Sequence, residues 1–410
     1  MNISDLCQEA KKASYHIAAL YSGQKNSLLA EIANELDKNR SVIIRENNKD
    51  LSAGRSLSAP MLDRLRLDNE RINSMIRSVN DISALNDPVG EVIYSSVRPG
   101  GIEVQKVRMP LGLVGVIYES RPNVTIDTAC LCLKSGNACV LRGGKEALFS
   151  NRILADIIQK SLSRSGLPGK AVSFIDNPDR ALAAELLKQK KYIDLIIPRG
   201  GAELINFVTE NSMIPLIKHD KGVCTIYIES DADPVMASRI CENAKVQRPG
   251  VCNAAENILF HSQSACIKPV LEKLTSCGVE IYGCPRIQAI FPACKSASEE
   301  DWSTEYLALK ISVKMVDSLD EAVDFIHTYG SGHTEAIITS SWSKAREFQR
   351  RVDSGVVMVN ASTRFSDGGC FGLGAEVGIS TQKLHVRGPM GLSDLTCGKF
   401  IVNGNGQIRE

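Results

Sequence analysis

The chain of 410 residues lacks several features that would assign it to a class of proteins at once. It has no apolar run near the roughly 18 residues that a membrane helix needs, and its N-terminus has early acidic residues but no apolar signal-peptide core. Its 48 basic and 47 acidic residues leave a net charge of +1, without any long Lys/Arg block. These absences give no support to a membrane, secretory or nucleic-acid-binding role.

The 13 cysteines are scattered and form no CxxC pair. Familiar zinc spacings are therefore excluded, we expect no metal site, and the pattern does not resemble a secreted disulfide framework. Hydrophobic residues make up 43% of the chain and charged residues 23%, as in ordinary globular proteins. We expect a cytoplasmic protein with reduced thiols and two or three domains.

Strands and helices alternate over residues 111–220. The continuous apolar segment 111–118 is typical of a parallel strand that is covered on both faces. Further strands are predicted at 138–142, 171–175 and 192–198, with helices between them. This alternation predicts an α/β fold with a doubly wound parallel sheet, in which ligands bind at the carboxyl ends of the strands. A second series of the same kind begins after residue 220.

The remaining segments have other patterns. Residues 1–90 are predicted to form helices with charged faces, one of which places Leu29, Ile32, Ala33 and Leu36 on one stripe. Alternating apolar residues over 91–109, interrupted by Pro-Gly-Gly, predict a projecting hairpin of the kind that pairs with a partner. The tail, from about 395, is predicted to be extended.

No GxGxxG motif follows the first strand, but glycines and basic residues follow several strand ends. Gly200 and Gly201 open a helix, where free backbone N–H groups suit a phosphate. Arg142 and Lys145 would suit a ribose 2′-phosphate and so favour NADP over NAD. The alternative is that the glycines are turn residues and the basic side chains are solvated. The candidate cofactor residues at these strand ends are Ser120, Pro122, Arg142, Gly143, Lys145, Arg199, Gly200 and Gly201.

Cys252 is the candidate nucleophile. It lies in the segment QRPGVCNAAE (247–256), where a turn rich in Pro and Gly can hold a thiol exposed. Because it follows a pattern typical of a dinucleotide-binding domain, Cys252 indicates oxidation or reduction at the aldehyde level through a thioester.

Several segments together resemble the aldehyde dehydrogenase superfamily, and within it the branch of the γ-glutamyl phosphate reductases, over essentially the whole chain. They are SRPNVT, RGGKEA, IIPRGG, RPGVCNA and HVRGPMGL. The resemblance implies an aldehyde dehydrogenase-like fold of two doubly wound α/β domains plus a β-ribbon for oligomerisation. We expect an NADP(H)-binding domain at 1–90 and 110–220, a catalytic domain at 221–385, and the ribbon at 91–109 and 386–410.

The resemblance also implies a reaction. It is the NADPH-dependent reduction of L-glutamyl 5-phosphate to L-glutamate 5-semialdehyde and phosphate, through a thioester on Cys252. This is the second step of proline biosynthesis from glutamate, and its enzyme is a phosphorylating, NADP-dependent glutamate-5-semialdehyde dehydrogenase. A homo-oligomer is expected, together with a transient association with a glutamate 5-kinase.

Residue roles follow from the same resemblance. Asn123 and the backbone N–H of Cys252 would form the oxyanion site, although a helix N-cap is the alternative for Asn123. Glu305 stands in the place of a Glu that contacts the nicotinamide ribose, but the Gly-Pro that accompanies it in the superfamily is missing. The cations expected near the substrate anions are Arg121, Arg364 and Arg387, with Asn360 and Ser362 assisting. Ordinary ion pairs are the alternative for these cations.

Hydrolytic members of the superfamily carry a Glu general base that is missing here. The segment IKHDKG (217–222) stands in its place, with His219 nearest the Glu position, and His219 could be either structural or substrate-binding. Without that base a deacylating water is not activated, which favours phosphate as the acyl acceptor. A hydrolytic or CoA-dependent dehydrogenase and a catalytically silent interaction protein are the alternatives.

Overall fold

The computed structural model describes residues 2–218 and 221–409 and divides them into two units. Unit 1 runs to Lys218 and adds 372–378 and the segment from Met390 onward. Unit 2 holds the residues between Lys218 and Gly372 and adds 379–389. Within the described ranges, no helix is both long enough and apolar enough to cross a membrane.

Unit 1 begins with helices that bury one face each. The stripe predicted for Leu29, Ile32, Ala33 and Leu36 is confirmed, because all four side chains are buried. Asn2 and Asp68 cap the first and last of these helices by accepting hydrogen bonds from backbone N–H groups. The helices are α1 (Ile3–Ala18), α2 (Ser22–Lys38), α3 (Arg40–Ala53), α4 (Ala59–Leu65) and α5 (Asn69–Ala84).

A hairpin follows, as the alternation over 91–109 predicts. Strands β1 (Val92–Val97) and β2 (Glu103–Pro110) pair antiparallel on either side of the Pro-Gly-Gly turn. Gly100 and Gly101 have φ values of 94° and 85°, which a residue with a Cβ rarely adopts. Strand β16 (Thr396–Asn403) near the C-terminus pairs antiparallel with β2, so the sheet order is β1–β2–β16.

The main sheet of unit 1 is parallel and doubly wound. Its order is β5–β4–β3–β6, so the chain first adds strands on one side of β3 and then crosses to the other side. Strand β3 is buried along its whole length, as its continuous apolar sequence predicts. The elements are β3 (Leu113–Tyr118), α6 (Asn123–Lys134), β4 (Ala138–Arg142), α7 (Leu148–Arg164), β5 (Val172–Phe174), α8 (Arg180–Leu186), β6 (Leu195–Arg199) and α9 (Ala202–Asn211).

Unit 2 is a second parallel α/β layer around its own apolar core. Its sheet order is β10–β9–β11–β8–β7–β12–β13. The elements are β7 (Cys224–Ile228), α10 (Pro234–Val246), β8 (Ala255–His261), α11 (Ile267–Ser276), β9 (Glu280–Gly283), α12 (Pro285–Ile290), β10 (Lys295–Ser296), β11 (Lys310–Val316), α13 (Leu319–Tyr329), β12 (Thr334–Ile338), α14 (Trp342–Arg351) and β13 (Val356–Val359). Two short strands, β14 (Gly378–Ser380) and β15 (Gly388–Met390), pair with each other.

Candidate active site

A cavity of about 760 Å³ lies at the carboxyl ends of the unit 1 strands. Its position is the one expected for a ligand in a doubly wound sheet, beside the point where the strand order reverses between β3 and β6. Its volume is within the range of small-molecule sites. The predicted residues Ser120, Arg142 and Lys145 line it, together with Glu119, Gly144, Glu146 and Glu203.

Ser120 has a strained backbone at the edge of this cavity. Its φ is 43°, in the left-handed region that a residue with a Cβ seldom adopts. Both its backbone N–H and its hydroxyl donate to Glu146 Oε1, at 2.6 and 2.8 Å. These two hydrogen bonds to a carboxylate hold the chain in that conformation directly after β3.

The two cations predicted for a 2′-phosphate differ in their surroundings. Arg142 donates from Nη2 to the carbonyl of Pro178 at 2.9 Å, and burial lowers the pKa of its guanidinium. Its Nε is buried and has no hydrogen-bond partner among the described residues. Lys145 is exposed and has no ion-pair partner in the part of the chain that the structure describes. Lys145 is therefore the more available of the two for an added anion.

Gly143 lies directly over a buried polar chain. A Cβ at this position would overlap the side-chain amide of Asn151, whose Cγ would be 3.1 Å away. Asn151 Oδ1 accepts from Thr125 Oγ1 at 3.1 Å, and that hydroxyl shares a 2.6 Å hydrogen bond with Tyr118. Any larger residue would force the buried Asn151 amide to move, so glycine allows the backbone to approach it closely.

The start of α9 already has an anionic acceptor. Gly201 N–H donates to Glu119 Oε2 at 2.9 Å, and a Cβ on Gly200 would lie 2.7 Å from Glu119 Cδ. The carboxylate of Glu119 thus takes the position at which the sequence predicts a phosphate. Both groups are negatively charged, and the N-terminus of a helix attracts negative charge. Arg199, which precedes these glycines, lies 4.0 Å from the carboxylate of Glu376.

Asn123 is the first residue of α6, and Pro122 takes the N-cap position. The N-cap alternative for Asn123 is therefore wrong: its Nδ2 instead donates to Asp127 Oδ2, one turn along the helix, at 2.9 Å. Asp127 also accepts from Ser78 Oγ at 2.7 Å, and burial raises the pKa of Asp127. The amide of Asn123 is therefore oriented by a carboxylate. Arg121 is half-buried just before this turn.

Cys252 belongs to unit 2 and lies between α10 and β8, at the amino edge of the parallel sheet. Its side chain is half-buried. The backbone of Gly222 packs directly on it, because a Cβ on Gly222 would be 2.5 Å from Cys252 Cα and 2.6 Å from its carbonyl carbon. The buried thiol of Cys224 donates to the Cys252 carbonyl at 3.2 Å. The loop that carries the thiol, residues 247–254, therefore rests on fixed backbone.

Glu305 contacts the same backbone. Its Oε1 accepts from Gly222 N–H at 3.0 Å, and burial raises the pKa of its carboxyl. The structure thus brings together Glu305, Gly222 and Cys252, which are far apart in the sequence. Contact of Glu305 with a nicotinamide ribose stays a prediction.

Arg364 also belongs to this neighbourhood. It donates from Nε to Gln247 Oε1 at 2.9 Å and from Nη1 to Asn253 Oδ1, so it bridges both ends of the Cys252 loop. Burial lowers the pKa of Arg364, and the thiol of Cys252 partly offsets this effect. Ser362 is buried and accepts from Arg364 N–H at 3.3 Å, so its hydroxyl shapes the turn that presents the guanidinium.

Other predicted substrate residues lie elsewhere. Asn360 follows β13, at the carboxyl edge of the sheet, whereas Cys252 is at the amino edge. Its amide accepts from Thr339 N–H at 3.0 Å and donates to Thr339 O at 2.9 Å. Arg387 forms an ion pair with Asp353 at 2.5 Å. An ordinary ion pair of this kind is the alternative to a contact of Arg387 with a substrate anion. His219 lies outside the described residues.

Several residues of the site escape sequence reasoning. Glu119 and Glu146 hold backbone N–H groups at the unit 1 cavity, and Gly222 and Cys224 support the backbone of Cys252. Glu119 could have been predicted from the sequence, because it is an acid immediately after the first strand of a doubly wound sheet. No sequence pattern indicates Gly222 or Cys224. No group of His, Cys, Asp and Glu able to hold a metal ion occurs among the described residues.

Comparisons with known proteins point to one family. The model of the aldehyde dehydrogenase family matches residues 1–279. A γ-glutamyl phosphate reductase of Geotalea daltonii is 52% identical over 412 residues, which cover 100% of this chain and 99% of that protein.

Solved structures agree. The crystal structure of a γ-glutamyl phosphate reductase from Thermotoga maritima has a TM-score of 0.98 and 42% identity, and covers 100% of both chains. One from Saccharomyces cerevisiae has a TM-score of 0.56 and 27% identity, covering 100% of this chain and 99% of that one. The similarity therefore extends over both units.

Proposed function

Because this chain belongs to the aldehyde dehydrogenase family and, within it, to the γ-glutamyl phosphate reductases, we propose that it reduces L-glutamyl 5-phosphate to L-glutamate 5-semialdehyde, the second step of proline biosynthesis from glutamate. The observation that carries this proposal is the half-buried Cys252 on a supported loop, in a chain that matches such reductases along its whole length. The expected fold, two doubly wound α/β layers with a β-ribbon, is confirmed.

Cys252 acts first in the proposed reaction. Its sulfur forms a bond to the acyl carbon, the bond from that carbon to the phosphate oxygen breaks, and phosphate leaves with the electron pair. The product is a thioester on Cys252. A thiolate is needed for this attack, and the guanidinium of Arg364 is one cation whose charge interacts with this thiol.

Enzymes of this family use a nicotinamide cofactor, and we propose NADPH for this chain. When bound, the reduced nicotinamide supplies a hydride to the thioester carbon. The cavity of unit 1 suits the dinucleotide, since it lies at the strand-order reversal and is lined by the buried, unpartnered Arg142 Nε and by Lys145. The proposed cofactor residues are Ser120, Pro122, Arg142, Gly143, Lys145, Arg199, Gly200, Gly201 and Glu305.

Oxyanion stabilisation is proposed for Asn123 and the backbone N–H of Cys252. Asp127 and Ser78 fix the direction of the Asn123 amide, so its donors need no reorientation during the reaction. After reduction, the carbon–sulfur bond breaks and the aldehyde leaves, which returns the thiolate of Cys252. The α-carboxylate and phosphate of the substrate are assigned to Arg121 and Arg364, with Ser362 shaping the turn at Arg364.

Assembly and location complete the proposal. Exposed apolar residues lie on β1 and β16, including Val97 and Phe400, and we assign this ribbon to a homo-oligomer contact. We propose residues 1–90 and 110–220 as the cofactor domain, 221–385 as the catalytic domain, and 91–109 with 386–410 as the ribbon. We place the enzyme in the cytoplasm, with a glutamate 5-kinase as a transient partner that hands over the labile acyl phosphate.

The test runs the reaction in reverse. Purified protein is mixed with NADP⁺ and glutamate 5-semialdehyde, and formation of NADPH is followed by absorbance with and without phosphate. The proposal requires turnover that depends on phosphate and is lost in Cys252→Ala. Cys252→Ser is the matched control, because it keeps the shape of the side chain and replaces only the sulfur. Turnover without phosphate would instead assign a hydrolytic dehydrogenase.

A further inference from the structure

A fully buried ion pair closes the base of the Cys252 loop. Lys245 is on the last turn of α10 and Glu256 is at the start of β8, so the pair joins the two elements that flank the loop. Both side chains are completely buried, and Lys245 Nζ lies 2.5 Å from Glu256 Oε2. The loop between them is therefore tied at both ends.

The second oxygen of Glu256 extends this tie toward the nucleophile. Oε1 accepts from the backbone N–H of Leu307 at 3.3 Å, and Leu307 has a φ of 52°, a left-handed conformation that costs energy for a residue with a Cβ. Glu305, two residues earlier, holds Gly222, and Gly222 packs on the backbone of Cys252. An unbroken series of contacts thus leads from Glu256 to Cys252.

Stability alone gives little reason for such a pair. Burial lowers the pKa of Lys245 and raises that of Glu256 to about 7, so each group relies on its partner to stay charged. Apolar residues of similar size often replace buried ion pairs without loss of stability. What an apolar pair cannot do is accept the hydrogen bond from Leu307.

We propose that Glu256, held in place by Lys245, is a positioning residue for Cys252, acting through Leu307 and Glu305. The inference rests on the proposed function only in taking Cys252 as the nucleophile. It assigns to Glu256 no contact with substrate or cofactor.

Two double variants separate positioning from stability. Lys245→Met with Glu256→Gln removes both charges but keeps an oxygen that can accept from Leu307. Lys245→Met with Glu256→Leu removes the charges and the acceptor. The Gln variant leaves a buried amide N–H₂ without its partner, so we expect it to be the less stable of the two on thermal unfolding.

The expected activity runs in the opposite order. The Gln variant should keep kcat within about threefold of the parent, whereas the Leu variant should lose at least about tenfold, because small displacements of a reacting group are costly. If kcat instead follows thermal stability, or if both variants match the parent, Glu256 is only a structural tie and the proposal is wrong.

Alkylation of Cys252 gives a readout that needs no substrate. Its rate with iodoacetamide is compared by mass spectrometry with that of Cys397, an exposed thiol on β16 in unit 1. The Leu variant should change this ratio by about threefold or more, and the Gln variant should not. If the ratio changes as expected but neither the parent protein nor the two variants reduce the acyl phosphate, Glu256 still positions Cys252 and the proposed function is wrong. An unchanged ratio in the Leu variant would overturn positioning.

Discussion

Gly222→Ala is the most direct test of how Cys252 is supported. The added Cβ would overlap the carbonyl oxygen of Cys252 and lie 2.5 Å from its Cα, whereas ordinary contact begins at 3.4 Å, so the two segments must separate by at least about 0.9 Å. The atoms it meets are backbone, which no side-chain rotation can relieve. A displacement of about 1 Å at a reacting group costs about 100-fold in rate, or roughly 2.7 kcal/mol of barrier. We therefore expect kcat to fall about 100-fold while the dissociation constant for NADPH stays the same.

Gly250→Ala is the matched control in the Cys252 loop. Its added Cβ would meet Leu307 O at 3.7 Å, an ordinary contact, and Gly250 is not in the left-handed region. This variant should keep kcat within about twofold and gain up to about 1 kcal/mol of stability from the reduced freedom of the unfolded chain. Steady-state kinetics, NADPH fluorescence titration and thermal unfolding measure these quantities. Full activity in Gly222→Ala, or equal losses in the two variants, would refute the reasoning.

Three further outcomes are expected. Asn123→Ala should lower kcat by about 100- to 1000-fold through loss of an oxyanion donor; in steady-state assays, a loss seen only in KM would contradict that role. Lys145→Ala should raise KM for NADPH by roughly tenfold or more but leave KM for NADH unchanged, because only NADPH has the 2′-phosphate; equal effects on both cofactors would remove Lys145 from that contact. Brief alkylation of the native protein, followed by peptide mass spectrometry, should label Cys252, Cys277, Cys370 and Cys397 and spare the nine buried thiols, among them Cys7, whose pKa burial raises to about 12. All 13 should react in urea.

Much of the fold could be predicted because its signals are local. The apolar segment at 111–118 produced the fully buried strand β3, and the Pro-Gly-Gly turn produced the hairpin β1–β2. Shorter elements were predicted less well: the strand expected at 192–198 begins only at Leu195, and the two-residue strand β10 was not predicted. Their extent depends on pairing with neighbours that are distant in the sequence.

The sequence could name candidates for the site where one residue type carries the chemistry, as at Cys252 and Lys145, whose roles stay predictions. The sequence could not show which residues come together in three dimensions. Asn360 was placed with the substrate because of its glycine-rich surroundings, yet its amide is engaged by Thr339 at the carboxyl edge of the sheet. The sequence assigned no role to Glu256, because its ion pair with Lys245 and its hydrogen bond with Leu307 form only on folding.

The position of Cys252 at the amino edge of its sheet also determines which helix ends face it. In a parallel α/β layer the helices run opposite to the strands, so their carbonyl ends, with about half a unit of negative charge, lie on this side. Helix α10 ends at Val246, shortly before Cys252. Among the described residues of this layer, no α-helix start therefore favours the thiolate, and the positive charge must come from side chains such as Arg364. Substitution of a single arginine, such as Arg364, can consequently change the reactivity of the nucleophile without any change in the sheet and its helices.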